Sequence, residues 1–397
     1  MPEIALRSRF WAEEGTVTFY NAWTLPWYEA LVTTTTTGGY LPLIATSAGV
    51  LARYIVPLEF APYVTITIGL LFQLCPAFLL VTSQEDWLQR RGFLVLGLLI
   101  LLTPPVSEEV WLNTLHSQFH LTLCAALILS FNPTNSRVEW LRRILLALSA
   151  LSGPGAAFLL PLFVMRAIFD QSRARAVQAL ILGFGVIIQL TLFYSTSPYR
   201  SFGIGVPLLL TVIFVKHLLL PFFGRDQALD ISSGIQSSVA LGQMPIWPSL
   251  MTFTVGALLV VALVARRRAD LIWLFIAGCT IMTMSYYGAL DGRTNLLLVD
   301  FGHRYYYVQQ AIFGLVLLGL ASTGKDIISK ISQLVVFWVV IIGMHEYFWP
   351  SASIFAHGPD WKVEVAKWRE DPNYAIRLWP DNWLLRLPVQ EKGTTLE

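Results

Sequence analysis

Long apolar stretches separated by short polar loops recur along almost the whole chain. The clearest is APYVTITIGLLFQLCPAFLLVTS, from Ala61 to Ser83, and a helix needs about 20 residues to span the hydrocarbon core of a bilayer. The later apolar stretches are Gly92–Pro104, His120–Phe131, Ile144–Ile168, Ala176–Ser195, Phe202–Phe223, Ser249–Val264, Leu271–Tyr287, Tyr306–Ala321 and Ile331–Met344. Several of these are short or interrupted. The pattern predicts an all-α, polytopic integral membrane protein with roughly eight to ten transmembrane or re-entrant helices.

The composition agrees with this class of protein. Only 13% of the 397 residues are charged and 55% are hydrophobic, whereas a soluble domain carries about 25% charged residues. The 14 Trp, 14 Tyr and 24 Phe residues suit aromatic belts at the two membrane interfaces. No basic patch is interleaved with aromatic residues, so we expect no nucleic-acid partner.

No sequence motif for a cofactor or metal is present. The chain lacks a P-loop, a Rossmann fingerprint, a GxSxG motif and zinc-ligand spacing. Its three cysteines, Cys75, Cys124 and Cys279, lie separately inside apolar stretches and are interpreted as buried apolar residues. We therefore expect no cofactor and no metal.

The distribution of arginine and lysine predicts the orientation of the chain, because short loops rich in these residues stay in the cytoplasm. The basic loops are Gln89–Arg91, Arg137–Arg143, Arg166–Arg175, Arg266–Arg268 and Lys325–Lys330. The outer side then receives residues 1–60, the loops Pro105–Gln118, Ser195–Ser201 and Gly288–Arg304, and the tail from Glu346. We divide the chain into an outer-face acidic loop with interfacial helices (1–60), a transmembrane domain (61–349) and a small outer-face tail (350–397).

Two apolar stretches do not fit simple alternation. Ser152-Gly153-Pro154-Gly155 splits Ile144–Ile168, although both ends of that stretch carry arginine. Two half-helices that enter and leave on one side are predicted there, which requires protein or water to satisfy the broken backbone. For Phe202–Phe223, either the stretch lies obliquely at the outer face or part of Gln227–Trp247 crosses the membrane.

If Ala61–Ser83 runs inward, residues 1–60 begin outside with no preceding membrane segment. This arrangement leads us to expect a further membrane helix upstream of Met1 in the native protein. Direct translocation of a short N-terminus is the alternative.

Adjacent carboxylates stand near the start of the chain, in the stretch SRFWAEEGTVTFYNAW. Glu13 and Glu14 are flanked by Phe10, Trp11 and Phe19, which would hold them at the membrane interface. An apolar neighbourhood raises the pKa of a carboxylate and makes it a usable general base. A solvated loop without a role is the competing interpretation.

A second polar cluster occupies the loop from Ser107 to His120. Asn113, His116 and His120 are spaced three and four residues apart, so a helix would place them on one face, and Gln118 follows closely. His116 and His120 could bind a metal, and Glu109 or Asn113 could join them, but without an HExxH frame a substrate-facing polar surface is favoured over a metal site. A capped interfacial helix without a role is the third interpretation.

Cations supply the remaining candidates. The sequence Asp300-Phe301-Gly302-His303-Arg304-Tyr305 places an arginine at the mouth of a span, where its planar fork suits phosphate. Lys216 lies inside an apolar stretch, where charge is costly and usually functional. Arg53 also lies in an apolar stretch and is a weaker candidate for a phosphate contact. An aromatic belt with an arginine reaching to the interface is the alternative for the residues at 303–305.

An acidic pair, a histidine and several cations on one outer face suit the transfer of a sugar from a lipid-phosphate carrier. The cations would hold the phosphate, and one carboxylate would take the proton from the acceptor hydroxyl. A phosphate leaving group needs little acid assistance, so a single base suffices.

These residues resemble the GT-C superfamily of polytopic glycosyltransferases, which use polyprenyl-phosphate-linked sugars. The resemblance rests on Trp11–Gly15 followed by Gly39-Tyr40-Leu41, on Gly302–Tyr305, and on Leu378–Trp383 in the tail. It implies that Glu13 or Glu14 is the catalytic base and that Arg304 holds the carrier phosphate, assisted by Lys216 or Arg53. It also implies a bacterial cytoplasmic membrane, an active face outside, and a glycan, lipid or protein acceptor. Members of the superfamily carry the acid just after a first membrane helix, which this chain lacks.

The tail differs from the rest of the chain because charged residues and tryptophans alternate in it. Trp361, Trp368, Trp379 and Trp383 are predicted to form a small packed cap over the outer cavity, with a sugar-stacking platform as the alternative.

Three other functions compete with sugar transfer. A transporter or flippase of a lipid-linked sugar predicts broken helices at matching positions in two halves, and the sequence shows one break without a matching partner. A membrane acyltransferase would use a catalytic histidine such as His116. A structural membrane subunit would need no cluster of acids and cations.

Overall fold

The protein is almost entirely helical, as predicted. The computed structural model describes residues 4, 6–33, 39–133, 136–196, 202–289, 293–322, 324–354, 358 and 360–389. The α-helices are α1 (Tyr20–Thr24), α2 (Trp27–Leu31), α3 (Leu43–Ile55), α4 (Ala61–Val81), α5 (Arg91–Leu102), α6 (Ser117–Ser130), α7 (Ser136–Leu151), α8 (Leu160–Asp170), α9 (Arg173–Thr196), α10 (Val206–Ile213), α11 (Leu220–Ala240), α12 (Trp247–Arg266), α13 (Ala269–Tyr287), α14 (Tyr307–Ala321), α15 (Ile327–Phe348) and α16 (Trp361–Glu370). The two short strands are β1 (Ile376–Arg377) and β2 (Leu384–Leu385).

Several tight helical turns join these elements. π-Helical turns occupy Glu14–Phe19, ahead of α1, and Phe214–Leu219, between α10 and α11. The 3-10 turns are Leu58–Phe60, Glu108–Val110, Ala157–Leu159, Arg293–Leu297 and His303–Tyr305.

Six helical segments in the described part of the chain are long and apolar enough to cross a membrane. They are Leu58–Val81, Arg173–Thr196, Val206–Ala240, Trp247–Arg266, Ala269–Tyr287 and Ile327–Phe348. Shorter apolar helices at Leu43–Ile55, Arg91–Leu102 and Ser117–Ser130 lie beside them. The structure therefore confirms a polytopic all-α protein.

Contacts between loops define two faces of the bundle. At one end, which we name the arginine face, Arg90 donates to the carbonyl of Ser322 over 3.4 Å and Arg266 pairs with Asp326. At the other end, which we name the loop face, the loop 103–116 contacts residues 298–306 through an ion pair between Arg304 and Glu109. The basic loops thus gather at one end of the bundle and the predicted outer loops at the other.

Helices α7 and α8 form a hairpin that enters and leaves at the arginine face. Near the start of α7, Arg142 donates to the carbonyl of Asn132 over 2.6 Å, and near the end of α8, Arg166 donates to Ser130 over 2.7 Å. The turn between them reaches the opposite end of α6, because a Cβ on Gly153 would lie 2.2 Å from Oε1 of Gln118. The structure agrees with the hairpin predicted from the Ser-Gly-Pro-Gly break.

The segment Val206–Ala240 also begins and ends on one face. Ser249 Oγ donates to the carbonyl of Pro207 over 3.1 Å, which places the start of α10 beside the start of α12. Only residues 241–246 separate the end of α11 from α12. The helical path bends at Gly224, whose φ of 78° is accessible to glycine at little cost. The sequence left open whether the stretch lies obliquely at the outer face or part of Gln227–Trp247 crosses the membrane. This choice stays a prediction, because Val206–Ala240 is long and apolar enough to cross.

The tail packs against the first segment of the chain. The buried side chains of Phe10, Phe19, Trp361 and Trp368 share one apolar cluster, and the backbone N–H of Ala12 donates to the carbonyl of Trp379 over 2.5 Å. This agrees with the predicted cap and fixes the acidic segment from one side.

Candidate functional site

A cavity of about 370 Å³ opens among the loop-face elements. The first segment and the following loop contribute Glu13, Thr16, Val17 and Tyr40; the region around the start of α6 contributes Leu115, His116, Gln118, Phe119 and Thr122; the turn of the α7–α8 hairpin contributes Pro154, Gly155 and Phe158. The remaining walls are Phe202, Met284, Ser285, Tyr287, Gly288, Arg304, Tyr305 and Trp383. Residues from eight separate stretches of sequence thus converge on one concave, partly polar site, the usual form of a ligand site.

The two adjacent glutamates occupy different environments. Glu13 is half-buried and lines the cavity, and no hydrogen bond or ion pair engages its carboxylate within the described residues. Successive residues of a helix point about 100° apart, and Glu14 accordingly turns away from the cavity. The Glu13 carboxylate is therefore available to a ligand in the cavity, whereas the Glu14 carboxylate is not.

Glu14 is 1% exposed and saturated with hydrogen bonds. Its Oε1 accepts from the backbone N–H of Thr114 over 2.7 Å and from the Thr114 hydroxyl, and its Oε2 accepts from the N–H of Trp11 over 3.2 Å. Burial raises the pKa of Glu14, although these donors act in the opposite direction. A raised pKa does not make Glu14 a base for a substrate, because a general base must reach the proton that it removes.

Arg304 is held at the cavity wall by Glu109. Its guanidinium pairs with one carboxylate oxygen of Glu109, and its backbone N–H donates to the other over 3.2 Å. The Arg304 side chain is 28% exposed while that of Glu109 is 9% exposed. Burial would raise the pKa of Glu109, but the charge of Arg304 lowers it to about 2. Glu109 thus stays ionised and orients a cation toward the cavity.

His116 stands on the other side of the same carboxylate. Its Nδ1 lies 2.7 Å from the carbonyl of Glu109, which requires Nδ1 to be the protonated nitrogen, and its Nε2 lies 3.7 Å from Glu109 Oε1. Burial and the nearby Arg304 lower the pKa of His116 to about 4, although Glu109 opposes this shift. His116 is therefore neutral at pH 7.

The expectation that Asn113, His116 and His120 share a helix face is wrong. Helix α6 begins only at Ser117, so Asn113 and His116 lie in the loop before it. The Asn113 side chain braces this loop: it donates to the carbonyl of Glu109 over 2.9 Å and accepts from the N–H of His116 over 2.9 Å. Asn113 does not line the cavity.

The neighbouring histidine is also occupied by the protein. His120 Nε2 lies 3.0 Å from the carbonyl of Val110, and its Nδ1 lies 3.3 Å from the Tyr307 hydroxyl. Among the described residues, no three His, Cys, Asp or Glu side chains are grouped closely enough to hold a metal ion.

Gln118 and Tyr305 reach the cavity, as the sequence predicts. Gln118 Nε2 donates to the Tyr40 hydroxyl over 3.1 Å, so the two residues form one polar side of the cavity. The Tyr305 ring centroid lies 5.0 Å from the Arg304 guanidinium carbon and supports that cation at the cavity wall.

Lys216 does not reach the cavity. Its ammonium group donates to the carbonyls of Leu298, Val299 and Phe301 over 2.6, 2.9 and 2.9 Å. An ammonium group has three donors, and all three are used. Lys216 therefore fixes the loop that precedes Arg304, and the predicted phosphate contact from Lys216 is not available in this structure.

Arg53 and His303 also lie away from the cavity. The Arg53 guanidinium stacks on Trp23 at 4.3 Å, within the surface where the tail meets α3. His303 lines a separate cleft of about 190 Å³ together with Glu108, Arg225 and Glu346. Consecutive residues, His303 and Arg304, thus face different cavities.

Sequence reasoning missed the organising role of Glu109 and the presence of Tyr40 in the cavity. Glu109 was considered only as a possible metal ligand, although an acid in a buried loop needs a cationic partner. The partner, Arg304, is 195 residues away, and no local signal connects the two positions.

Lowering the pH from about 6.5 to about 4 is expected to destabilise the protein. Burial lowers the pKa of both His116 and His303 from 6.5 to about 4, so their contribution to stability is present above pH 6.5 and is lost as the pH falls through 4. Thermal unfolding of the detergent-purified protein at several pH values measures this. His116→Asn keeps a donor for the Glu109 carbonyl and should show a weaker pH dependence; an unchanged dependence would contradict the assignment to His116.

Comparison with known proteins gives no relative from which a role could be transferred. No family model, no curated protein and no solved structure matches this chain.

Proposed function

We propose that this protein is a membrane glycosyltransferase that moves a sugar from a polyprenyl-phosphate carrier to a glycan, lipid or protein acceptor. One observation carries the proposal: Glu13, a carboxylate without a partner among the described residues, lines the same cavity as Arg304, a guanidinium held in place by a buried acid. These are the two charges that the reaction requires, one for the acceptor proton and one for the carrier phosphate.

In the proposed reaction, Arg304 binds the phosphate that leaves. Glu109 and Tyr305 engage part of its guanidinium, and a guanidinium has five N–H donors, so donors remain for phosphate oxygens. Arg304 also neutralises the negative charge that grows as the bond to the sugar breaks.

Glu13 acts on the acceptor. As the acceptor oxygen attacks the anomeric carbon, its proton passes to the Glu13 carboxylate, and the bond between that carbon and the phosphate oxygen breaks. The phosphate leaves with the bonding electrons, so the products are the glycosylated acceptor and polyprenyl phosphate. A single displacement of this kind inverts the configuration at the anomeric carbon.

The apolar walls of the cavity suit the lipid part of the donor. Phe158, Phe202, Met284 and Tyr287 line the cavity. A polyprenyl chain could lie along these side chains while its phosphate meets Arg304.

The proposal is tested with detergent-purified protein and labelled polyprenyl-phosphate hexoses. The expected result is release of polyprenyl phosphate together with transfer of the sugar to an added acceptor or to water. Failure to turn over any donor, at normal folding, would contradict a transferase.

A transporter or flippase is the second candidate, and one structural observation favours it. The α7–α8 hairpin enters from the arginine face, whereas Val206–Ala240 enters from the loop face, and broken helices from opposite faces characterise many transporters. Proteoliposomes loaded with a fluorescent lipid-linked sugar separate the two functions: a transporter moves the intact molecule, whereas a transferase cleaves it.

We further propose that the loop face lies outside a bacterial cytoplasmic membrane, because the arginine face carries the basic loops. A cysteine at the exposed position Glu370 should react with a membrane-impermeant maleimide in intact cells, whereas a cysteine at the exposed position Asp86 should react only after lysis. The reverse pattern would invert the proposed orientation.

A further inference from the structure

Of the described residues of the tail, Trp383 lines the cavity, through its indole. This side chain is 36% exposed and lines the cavity together with Glu13. The other tryptophans of the tail are buried: Trp361, Trp368 and Trp379 are 1%, 7% and 2% exposed. Three of the four thus form the packed cap, and the fourth is left facing the cavity.

The position of Trp383 is fixed by its own hairpin. The N–H of Leu378 donates to the carbonyl of Trp383 over 2.9 Å, and the N–H of Trp383 donates to Pro380 over 3.3 Å. Strands β1 and β2, which flank this turn on its two sides, pair in antiparallel register. The indole is therefore carried on a closed backbone turn.

This hairpin is docked on the turn that carries Glu13. Leu378 packs so closely on Gly15 that a Cβ there would lie 2.6 Å from the leucine Cδ1. On the same surface, the N–H of Trp379 donates to the carbonyl of Phe10 over 3.2 Å. Glu13 and Trp383 thus belong to one unit formed by the two ends of the chain.

We propose that Trp383 is the stacking wall for a pyranose ring in this cavity. A large aromatic face that stays uncovered in a polar cavity gains free energy when an apolar surface covers it. Pyranoses present such a surface through the C–H groups of one ring face, while their hydroxyls can reach the polar side at Gln118 and Tyr40. The inference rests on the proposed function only for the role of Glu13 as the base. Stacking of a sugar on Trp383 concerns binding and does not require turnover.

The test measures binding and turnover on the same set of variants. The probe for binding is a short-chain isoprenyl-phosphate hexopyranoside, titrated calorimetrically into detergent-purified protein. Trp383→Ala should weaken binding about tenfold, while Trp383→Phe, which keeps an aromatic face, should stay within about threefold of the wild type. Trp27→Ala is the matched control, because Trp27 is 55% exposed but does not line the cavity, and it should bind as the wild type.

The outcomes separate this inference from the proposed function. Loss of binding in Trp383→Ala with rescue by phenylalanine supports the inference even if the wild type never turns over. Equal affinity of Trp383→Ala and the wild type overturns it, even if the protein transfers sugar, as does absence of wild-type binding to every pyranoside tested. Equal loss for an isoprenyl phosphate without a sugar would also overturn it, because Trp383 would then contact the lipid.

Discussion

Replacing Glu13 with glutamine is expected to lower the rate of sugar transfer by about 10²–10⁴-fold, the usual contribution of a general base. Glutamine has nearly the shape of glutamate but cannot take a proton from the acceptor. Since Glu13 has no protein partner among the described residues, its replacement removes chemistry without breaking a hydrogen bond. Donor affinity should change little, because Arg304 and the apolar walls remain. The measurement is kcat and KM for a labelled polyprenyl-phosphate hexose.

Glu29→Gln provides the matched control. Glu29 is an exposed glutamate in α2 and lies outside the cavity lining, so its replacement should leave both parameters unchanged. A wild-type kcat in Glu13→Gln would show that Glu13 is not the general base and that the first segment takes no part in the chemical step. A rise in KM at constant kcat would instead make Glu13 a binding residue.

The sequence predicts the helical part of this fold well. Ala61–Ser83 is observed as Ala61–Val81, and Tyr306–Ala321 as Tyr307–Ala321, because long apolar stretches between polar loops leave few alternatives to a helix. The break at Ser152–Gly155 was visible for the same reason, since small residues and proline interrupt an otherwise apolar helix.

The site was less predictable because its geometry depends on long-range contacts. The sequence shows that Arg304 and the two glutamates are unusual, but not that Arg304 pairs with Glu109 or that Glu14 bonds Thr114, 100 residues away. The charge of Lys216 suggested a ligand contact, yet three backbone carbonyls satisfy it. A charge is costly to bury unless a hydrogen-bonding or oppositely charged group satisfies it. The sequence shows that such a group is needed, and only the structure shows whether the protein itself supplies it.

Replacing Glu14 with alanine is expected to produce the opposite phenotype from Glu13→Gln, a loss of stability by about 3 kcal/mol. The N–H groups of Trp11 and Thr114 would remain buried without an acceptor, and each such group costs about 1–3 kcal/mol. The bonds from Thr114 join the first segment to the loop 103–116, so their loss loosens the wall that carries both Glu13 and Glu109. Thermal unfolding of the purified protein measures the change.

The neighbouring position supplies the control for this effect. Glu13→Ala removes a half-buried carboxylate that has no hydrogen-bond partner in the described part of the chain, so the free energy of unfolding should change by no more than about 0.5 kcal/mol. The loss of stability in Glu14→Gln should lie between those of Glu13→Ala and Glu14→Ala. The amide oxygen can still accept from Thr114 or from Trp11, but the NH₂ group then faces the N–H of the other residue. Wild-type stability in Glu14→Ala would show that water replaces the carboxylate, and the buried role assigned to Glu14 would then be wrong. If Glu13 lies in the cavity and Glu14 lies inside its wall, replacing Glu13 should lower the rate of transfer, and replacing Glu14 should lower the stability of the fold.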